Sequence, residues 1–142
     1  LVAHQATGQR YSAVRGGGAW CDGVRLHPSA CARLGEAIIG LNGLPPRPLG
    51  NLQSRVMGAV ALDLCNVAAG VLDGYVDCLP EQHGVWDYAA SVLICREAGA
   101  HVVDAFGRDL IVLDPLVRRT PVAAATAELL DEMLAARIGL DR

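Results

Sequence analysis

The stretch Trp86-Asp87-Tyr88-Ala89-Ala90-Ser91-Val92-Leu93-Ile94-Cys95-Arg96-Glu97-Ala98-Gly99 decides how the rest of the chain is read. It predicts a helix of about three turns. Asp87 stands where an N-cap or first-turn carboxylate belongs, and Gly99 where a left-handed C-terminal glycine belongs. Between them Ala90, Val92, Leu93, Ile94, Cys95 and Ala98 leave little polar surface, so the helix is expected to be covered on most sides. Its polar start then faces the end of a layer. A carboxylate at that place either caps the helix or carries chemistry. The residues alone leave both open, capping being the commoner role of Asp there.

Outward from this helix, strands and helices alternate. Gly74-Tyr75-Val76-Asp77-Cys78 reads as a strand, and 79–85 as the loop that leads into the helix. Before it, Gly58 to Ala69 reads as a second buried helix ended by Gly70, its glycine start leaving backbone N–H groups open to a polar ligand or simply to close packing. Ala37 to Leu41 is a short buried strand, and 42–54, with Pro45, Pro46 and Pro48, is the longest irregular segment. Downstream, 101–104 and 121–125 read as strands, Leu110 to Leu113 is a further apolar run, and Thr126 is an N-cap candidate for a last helix. Such alternation predicts a layered α/β unit with helices on both faces of a sheet, and ligands in such folds gather at strand ends. Asp77 ends a strand and Asp87 starts the next helix, so both are expected on one rim.

Residues 1–27 carry a hairpin pattern. Arg10 to Val14 alternates as a strand does, and Asp22-Gly23 is a strong two-residue hairpin turn. Gly16-Gly17-Gly18 precedes no helix start, so it reads as a bulge or tight crossing in preference to a phosphate loop.

Composition narrows the function classes. The 142 residues suffice for one domain with a real core. Apolar residues make up 52% and aromatics 4%, so the core must be built from Ala, Val and Leu. A net charge of -3 argues against a nucleic-acid surface. No apolar run reaches the ~18 residues of a membrane span, and no signal peptide is visible, which gives cytoplasm as the expected location. The five cysteines show no C-x-x-C spacing and read as small buried hydrophobes. Asp63, inside an apolar helix, is expected to pair with an arginine, with Arg55 the candidate. Arg96 and Glu97 are expected as a surface pair or packing contacts, and His4, His27, His83 and His101 lack metal spacing and receive no role.

Three stretches together resemble the inositol monophosphatase family. Gly16-Gly17-Gly18-Ala19-Trp20-Cys21-Asp22-Gly23 is similar to the family's G-x-G-A-x-x-N-G hairpin, with Asp22 for Asn. Arg55 to Cys65 is similar to R-x-x-G-S/T-A-A-L-D-L-C, and Trp86 to Ala90 with Glu97-Ala98-Gly99 is similar to W-D-x-A-A/G-G…E-A-G-G. The resemblance implies the C-terminal lobe of a layered αβα sandwich, 37–142, with a mixed sheet, preceded by a hairpin segment, 1–36, that belongs to the sheet of an N-terminal half. It also implies a magnesium-dependent hydrolase, a phosphatase of small sugar or polyol phosphates such as inositol monophosphate, and a homodimeric parent without nucleic-acid or membrane partners.

Within that resemblance Asp87 matches the metal-binding aspartate. Gly58, Ala59 and Val60 match the backbone segment that contacts substrate hydroxyls, and Asp77 matches the acidic residue, usually Glu, that bonds the polyol. Ala59 replaces Ser or Thr, Asp77 is shorter than Glu, the loop from Asp77 to Asp87 is longer than usual, and Ala100 replaces a glycine. These changes touch substrate recognition and keep fructose bisphosphate or histidinol phosphate open as substrates. The family's G-E-E and D-P-I/L-D-G-T segments, which carry the other Mg²⁺ ligands, do not occur in this chain. The expectation is therefore a lobe inactive alone, or alternatively a non-catalytic fragment that self-associates or pairs with an N-terminal half.

Overall fold

The computed structural model describes residues 1–141, so the last residue of the expected 37–142 lobe lies outside the described residues. Four short strands open the chain: β1 (Val2–Ala3), β2 (Arg10–Ala13), β3 (Ala19–Cys21) and β4 (Val24–Arg25). They form an antiparallel meander in sequence order. Asp22 and Gly23 both take positive φ, 47° and 82°, which makes the two-residue turn that the Asp-Gly pair predicts.

The second sheet combines β5 (Ile38–Asn42), β6 (Gln53–Arg55), β7 (Gly74–Asp77), β8 (His101–Asp104) and β9 (Pro121–Ala124) in the order β6-β5-β7-β9-β8. β6 and β7 run parallel to β5, whereas β9 is antiparallel to both β7 and β8. The sheet is therefore mixed, as expected. The strand β6 begins inside the segment read as irregular and runs one residue past it. All three of its residues are exposed, so it carries no apolar alternation to announce it.

The three helices are α1 (Val60–Ala68), α2 (Val85–Ala98) and α3 (Ala127–Gly139). Side chains of the central strands alternate between two cores. Tyr75, Val102 and Ala123 pack with Leu64, Tyr88, Val92 and Cys95 of α1 and α2. Val76, Val122 and Ala124 face the other way and pack with Leu129 and Met133 of α3. Helices thus cover both faces. Tyr11, Ala19 and Leu26 of the hairpin region join the first core from the far side of α1 and α2. The layers run hairpin sheet, α1 with α2, main sheet, α3. Lying between two sheets is why α2 is apolar almost all round.

Several local expectations need correction. The second helix starts at Val60 and not Gly58, because Gly58 has φ +84° and Ala59 is extended. The apolar run Leu110 to Leu113 forms no helix or strand; Leu110 is buried and its carbonyl accepts the Tyr88 hydroxyl at 2.7 Å. Gly16 to Gly18 form the β2–β3 turn, and the Gly16 and Gly18 N–H groups hold the Glu97 carboxylate at 2.9 and 3.0 Å. The glycines do cradle an anion, then, but it is one from the last turn of α2, and Glu97 is no mere surface partner of Arg96. Asp63 does not pair with Arg55, whose guanidinium bonds the Ser54 carbonyl and Gln53. Cys65, Cys78 and Cys95 are buried as expected, but Cys21 and Cys31 are only half-buried.

Candidate active site

Two strand-to-helix connections place the candidate site. The chain passes from the C-terminal end of β6 into α1 and from the C-terminal end of β7 into α2. Because β6 and β7 run parallel to the intervening β5, both helices begin at the same rim, where ligands gather in such sheets. The helices then run side by side: the Ser91 hydroxyl donates to the Ala61 carbonyl at 2.8 Å, and one turn on the Cys95 thiol contacts the Leu64 carbonyl at 3.1 Å. This pairing sets Asp87 level with the segment just before α1. Asp87, Gly58, Ala59, Val60 and Asp77 therefore converge on one edge of the main sheet.

Asp87 is the third residue of α2. Its carboxylate accepts the Gly84 N–H at 2.9 Å, one half of a capping box. Gly84 itself is crowded: a Cβ there would lie 2.4 Å from the Trp86 ring. The Trp86 ring is stacked under the Arg118 guanidinium at 4.9 Å. Asp87 is half-buried, and only one of its oxygens has a partner among the described residues.

At α1 the geometry is open. Gly58 needs its left-handed φ, not extra room, since nothing lies within 4 Å of where a Cβ would stand. Ala59 is the N-cap and has no side-chain oxygen to give the first-turn N–H groups. Ala59→Ser is accordingly expected to stabilise the fold by about 1 kcal/mol. Thermal unfolding would register this as a rise of roughly 2–4 °C, and an unmoved midpoint would mean that the first turn is already satisfied.

Asp77 is fully buried at the end of β7. One carboxylate oxygen accepts Asn42 Nδ2 at 2.9 Å and the Leu79 N–H at 3.2 Å; the other meets His83 Nδ1 at 2.7 Å. Its backbone carbonyl accepts Nε of the buried Arg137. His83, Asn42 and Ser91 are the residues at this rim to which sequence reading gave no role. Asn42 pairs with Asp77 in register, a signal recoverable only once β5 and β7 are known neighbours.

The donor set bears directly on metal binding. Among the described residues no group of three or more His, Cys, Asp or Glu side chains is arranged to hold an ion. Mg²⁺ requires six oxygens in near-octahedral array, and at this rim Asp87 presents one half-buried carboxylate oxygen without a partner among the described residues. Among the described residues, then, no set of side chains assembles the six oxygens that Mg²⁺ takes.

The family model described as the inositol monophosphatase family matches residues 1–139. The chain belongs to this family. Inositol-1-monophosphatase of Rhizobium meliloti is 37% identical over 75% of this chain and 44% of its own length. Inositol monophosphatase 2 of Rattus norvegicus is 35% identical over 90% of this chain and 48% of its own. Among solved structures, a Pyrococcus horikoshii protein described as similar to inositol-1 monophosphatase superposes with TM-score 0.82 at 28% identity, covering 94% of this chain and 54% of that one. The chain thus spans about half the length of the relatives it matches. Their fold is a mixed-sheet α/β arrangement, and the family is in general metal-dependent. No helix among the described residues is long and apolar enough to cross a membrane.

Proposed function

We propose that this chain forms the substrate side and supplies one metal ligand of a phosphomonoesterase site for small phosphorylated polyols or sugars. The observation that carries the reading is the convergence of the family's two motif helices, α1 and α2, with the ends of β5 and β7 on one rim. Asp87 presents the metal-directed carboxylate, while its other oxygen fixes the start of α2. Gly58, Ala59 and Val60 form the backbone segment beside a substrate hydroxyl or phosphate oxygen, with the Ala59 N–H turned to the Asp63 carboxylate, and Asp77 stands behind His83 at the polyol end. The family's Mg²⁺ would polarise the attacking water and the leaving oxygen, and it requires carboxylates from the family's N-terminal motifs beside Asp87. The parent assembly is proposed to be a cytoplasmic homodimer.

Inositol monophosphate is the favoured substrate. Fructose bisphosphate is the second reading, because a Methanothermobacter thermautotrophicus relative named fructose-1,6-bisphosphatase/inositol-1-monophosphatase is 32% identical over 94% of this chain. The incomplete donor set favours one further reading for the chain alone, a folded lobe without turnover.

Calorimetric titration of Mg²⁺ into the chain, with phosphate release assayed alongside, is expected to show neither saturable binding nor turnover. Supplying a family N-terminal segment that carries the other carboxylates should give Mg²⁺-dependent release from inositol 1-phosphate. Asp87→Asn should then lower kcat/KM by roughly 10²-fold or more, the scale of a lost metal contact in the transition state. Undiminished release by Asp87→Asn, or none under any pairing, would overturn the reading.

A further inference from the structure

Asp77 is placed to touch a ligand only indirectly. It is fully buried, and both carboxylate oxygens are engaged by Asn42, the Leu79 N–H and His83. The group that stands between it and the rim is the His83 ring. His83 keeps 14% of its side-chain surface exposed against 0% for Asp77. Its backbone is clamped to Arg119 by a two-way bridge, with the Arg119 N–H on the His83 carbonyl at 2.9 Å. It immediately precedes Gly84, whose N–H is held by Asp87. Ring and backbone are thus both fixed next to the N-cap of α2.

We infer that His83 is a substrate-contacting residue: aligned by Asp77, it accepts a hydrogen bond from a polyol hydroxyl. The inference rests on the phosphomonoesterase reading above. A carboxylate on Nδ1 selects the tautomer in which Nδ1 carries the proton. In the neutral imidazole Nε2 is then a bare acceptor. Nε2 has no partner among the described residues and is not one of the buried polar atoms left unpaired, so solvent reaches it. A hydroxyl is the complementary group, since an O–H can donate where a phosphate oxygen cannot. Within the loop between Asp77 and Asp87, His83 extends the reach of the short, buried aspartate. Asp77 acts through the ring and is a positioning residue.

The test uses the assembled enzyme and two esters, inositol 1-phosphate and p-nitrophenyl phosphate, which has no polyol hydroxyl. For His83→Ala the ratio of kcat/KM for the first ester over the second is expected to fall about tenfold, the loss entering through KM. His83→Gln, which keeps an acceptor oxygen, should recover part of it. Asp77→Asn should reproduce the fall, and the double variant should add little to either. An unchanged ratio, or additive losses, would overturn the inference. Absence of turnover by the wild type on both esters would instead strike the phosphomonoesterase reading. A second arm needs no turnover. Long-range ¹H–¹⁵N NMR of the chain at about pH 8 should show His83 protonated on Nδ1, with Asp77→Asn shifting the tautomer balance. An Nε2-protonated ring in the wild type would overturn the inference whatever the kinetics.

Discussion

Asp104→Ala is expected to destabilise the fold by about 3 kcal/mol, the scale of removing one partner of a buried charge network. Thermal unfolding should show it as a fall of roughly 6–12 °C. Asp104 is buried at the end of β8 and accepts from the N–H groups of Phe106, Arg108 and Thr120 as well as from Nε and a terminal nitrogen of Arg108. Truncation strands the Thr120 N–H in the interior, where an unmet donor costs the most. Arg108 is partly exposed and rehydrates, which keeps the loss short of the full penalty for an abandoned ion.

The effect should depend on pH. Burial pushes the Asp104 carboxyl up, but the Arg108 guanidinium and the Thr120 and Arg108 N–H groups outweigh it and hold the group below its ordinary value. The folded state therefore releases this proton more readily than the unfolded one. The stabilisation is present above the unfolded pKa near 3.8 and is lost as pH falls through the lower folded value. Wild type and Asp104→Ala should converge in acid, and a gap that stays constant down through that range would show that the charge contributes nothing. The same substitution reaches the candidate site, because Arg108 also bonds Glu81 at 2.7 Å in the loop that carries His83. Faster hydrogen exchange at the Glu81 N–H, now held by the Thr120 hydroxyl at 2.9 Å, should accompany the loss of stability.

What was legible in the sequence was whatever local chemistry determines. Gly99 at φ 99° ends α2 where a glycine stop predicts it, and Thr126 caps α3 through a bond to the Leu129 N–H at 3.2 Å. The apolar runs of β7 and β9 identified themselves by burial on both faces. The rim was legible at the level of Asp77 and Asp87, since a strand end and a helix start are local properties. What was not legible depends on contacts between distant residues. Glu97 finds the glycine turn some eighty positions earlier, Asn42 meets Asp77 only through strand pairing, and His83 gains its partner by the path of a loop. β6 escaped because an exposed edge strand, Gln53–Arg55, has no buried face to impose a period.

Asp63 gives the opposite electrostatic case and the last large expectation. It is buried in α1, lies over Gly40 of β5 beside Tyr75, and has one carboxylate oxygen without a partner. Burial pushes its carboxyl up to about 6, against a smaller downward pull from the Ala59 N–H. Here the folded state binds the proton more tightly, so stability falls as pH rises between the unfolded value of 3.8 and about 6, and the ionised carboxylate is a standing cost above that. Asp63→Asn keeps the shape and an oxygen for the Ala59 N–H but carries no charge. It is expected to stabilise the fold by about 2–3 kcal/mol at about pH 7.5, with the gain shrinking toward zero at about pH 4. Denaturant unfolding of both proteins across that range decides the matter. A gain that does not vary with pH would locate the effect in packing, and a loss at every pH would mean that the lone oxygen has a partner which only a carboxylate satisfies. The fold holds this charge in its first core, directly beneath the start of α1 and the rim, and the sign of its contribution is opposite to that of Asp104 on the far edge strand of the same sheet. The wild-type pH–stability curve should therefore rise through the acid range on the Asp104 side and decline toward neutrality on the Asp63 side, with Asp63→Asn removing only the second limb.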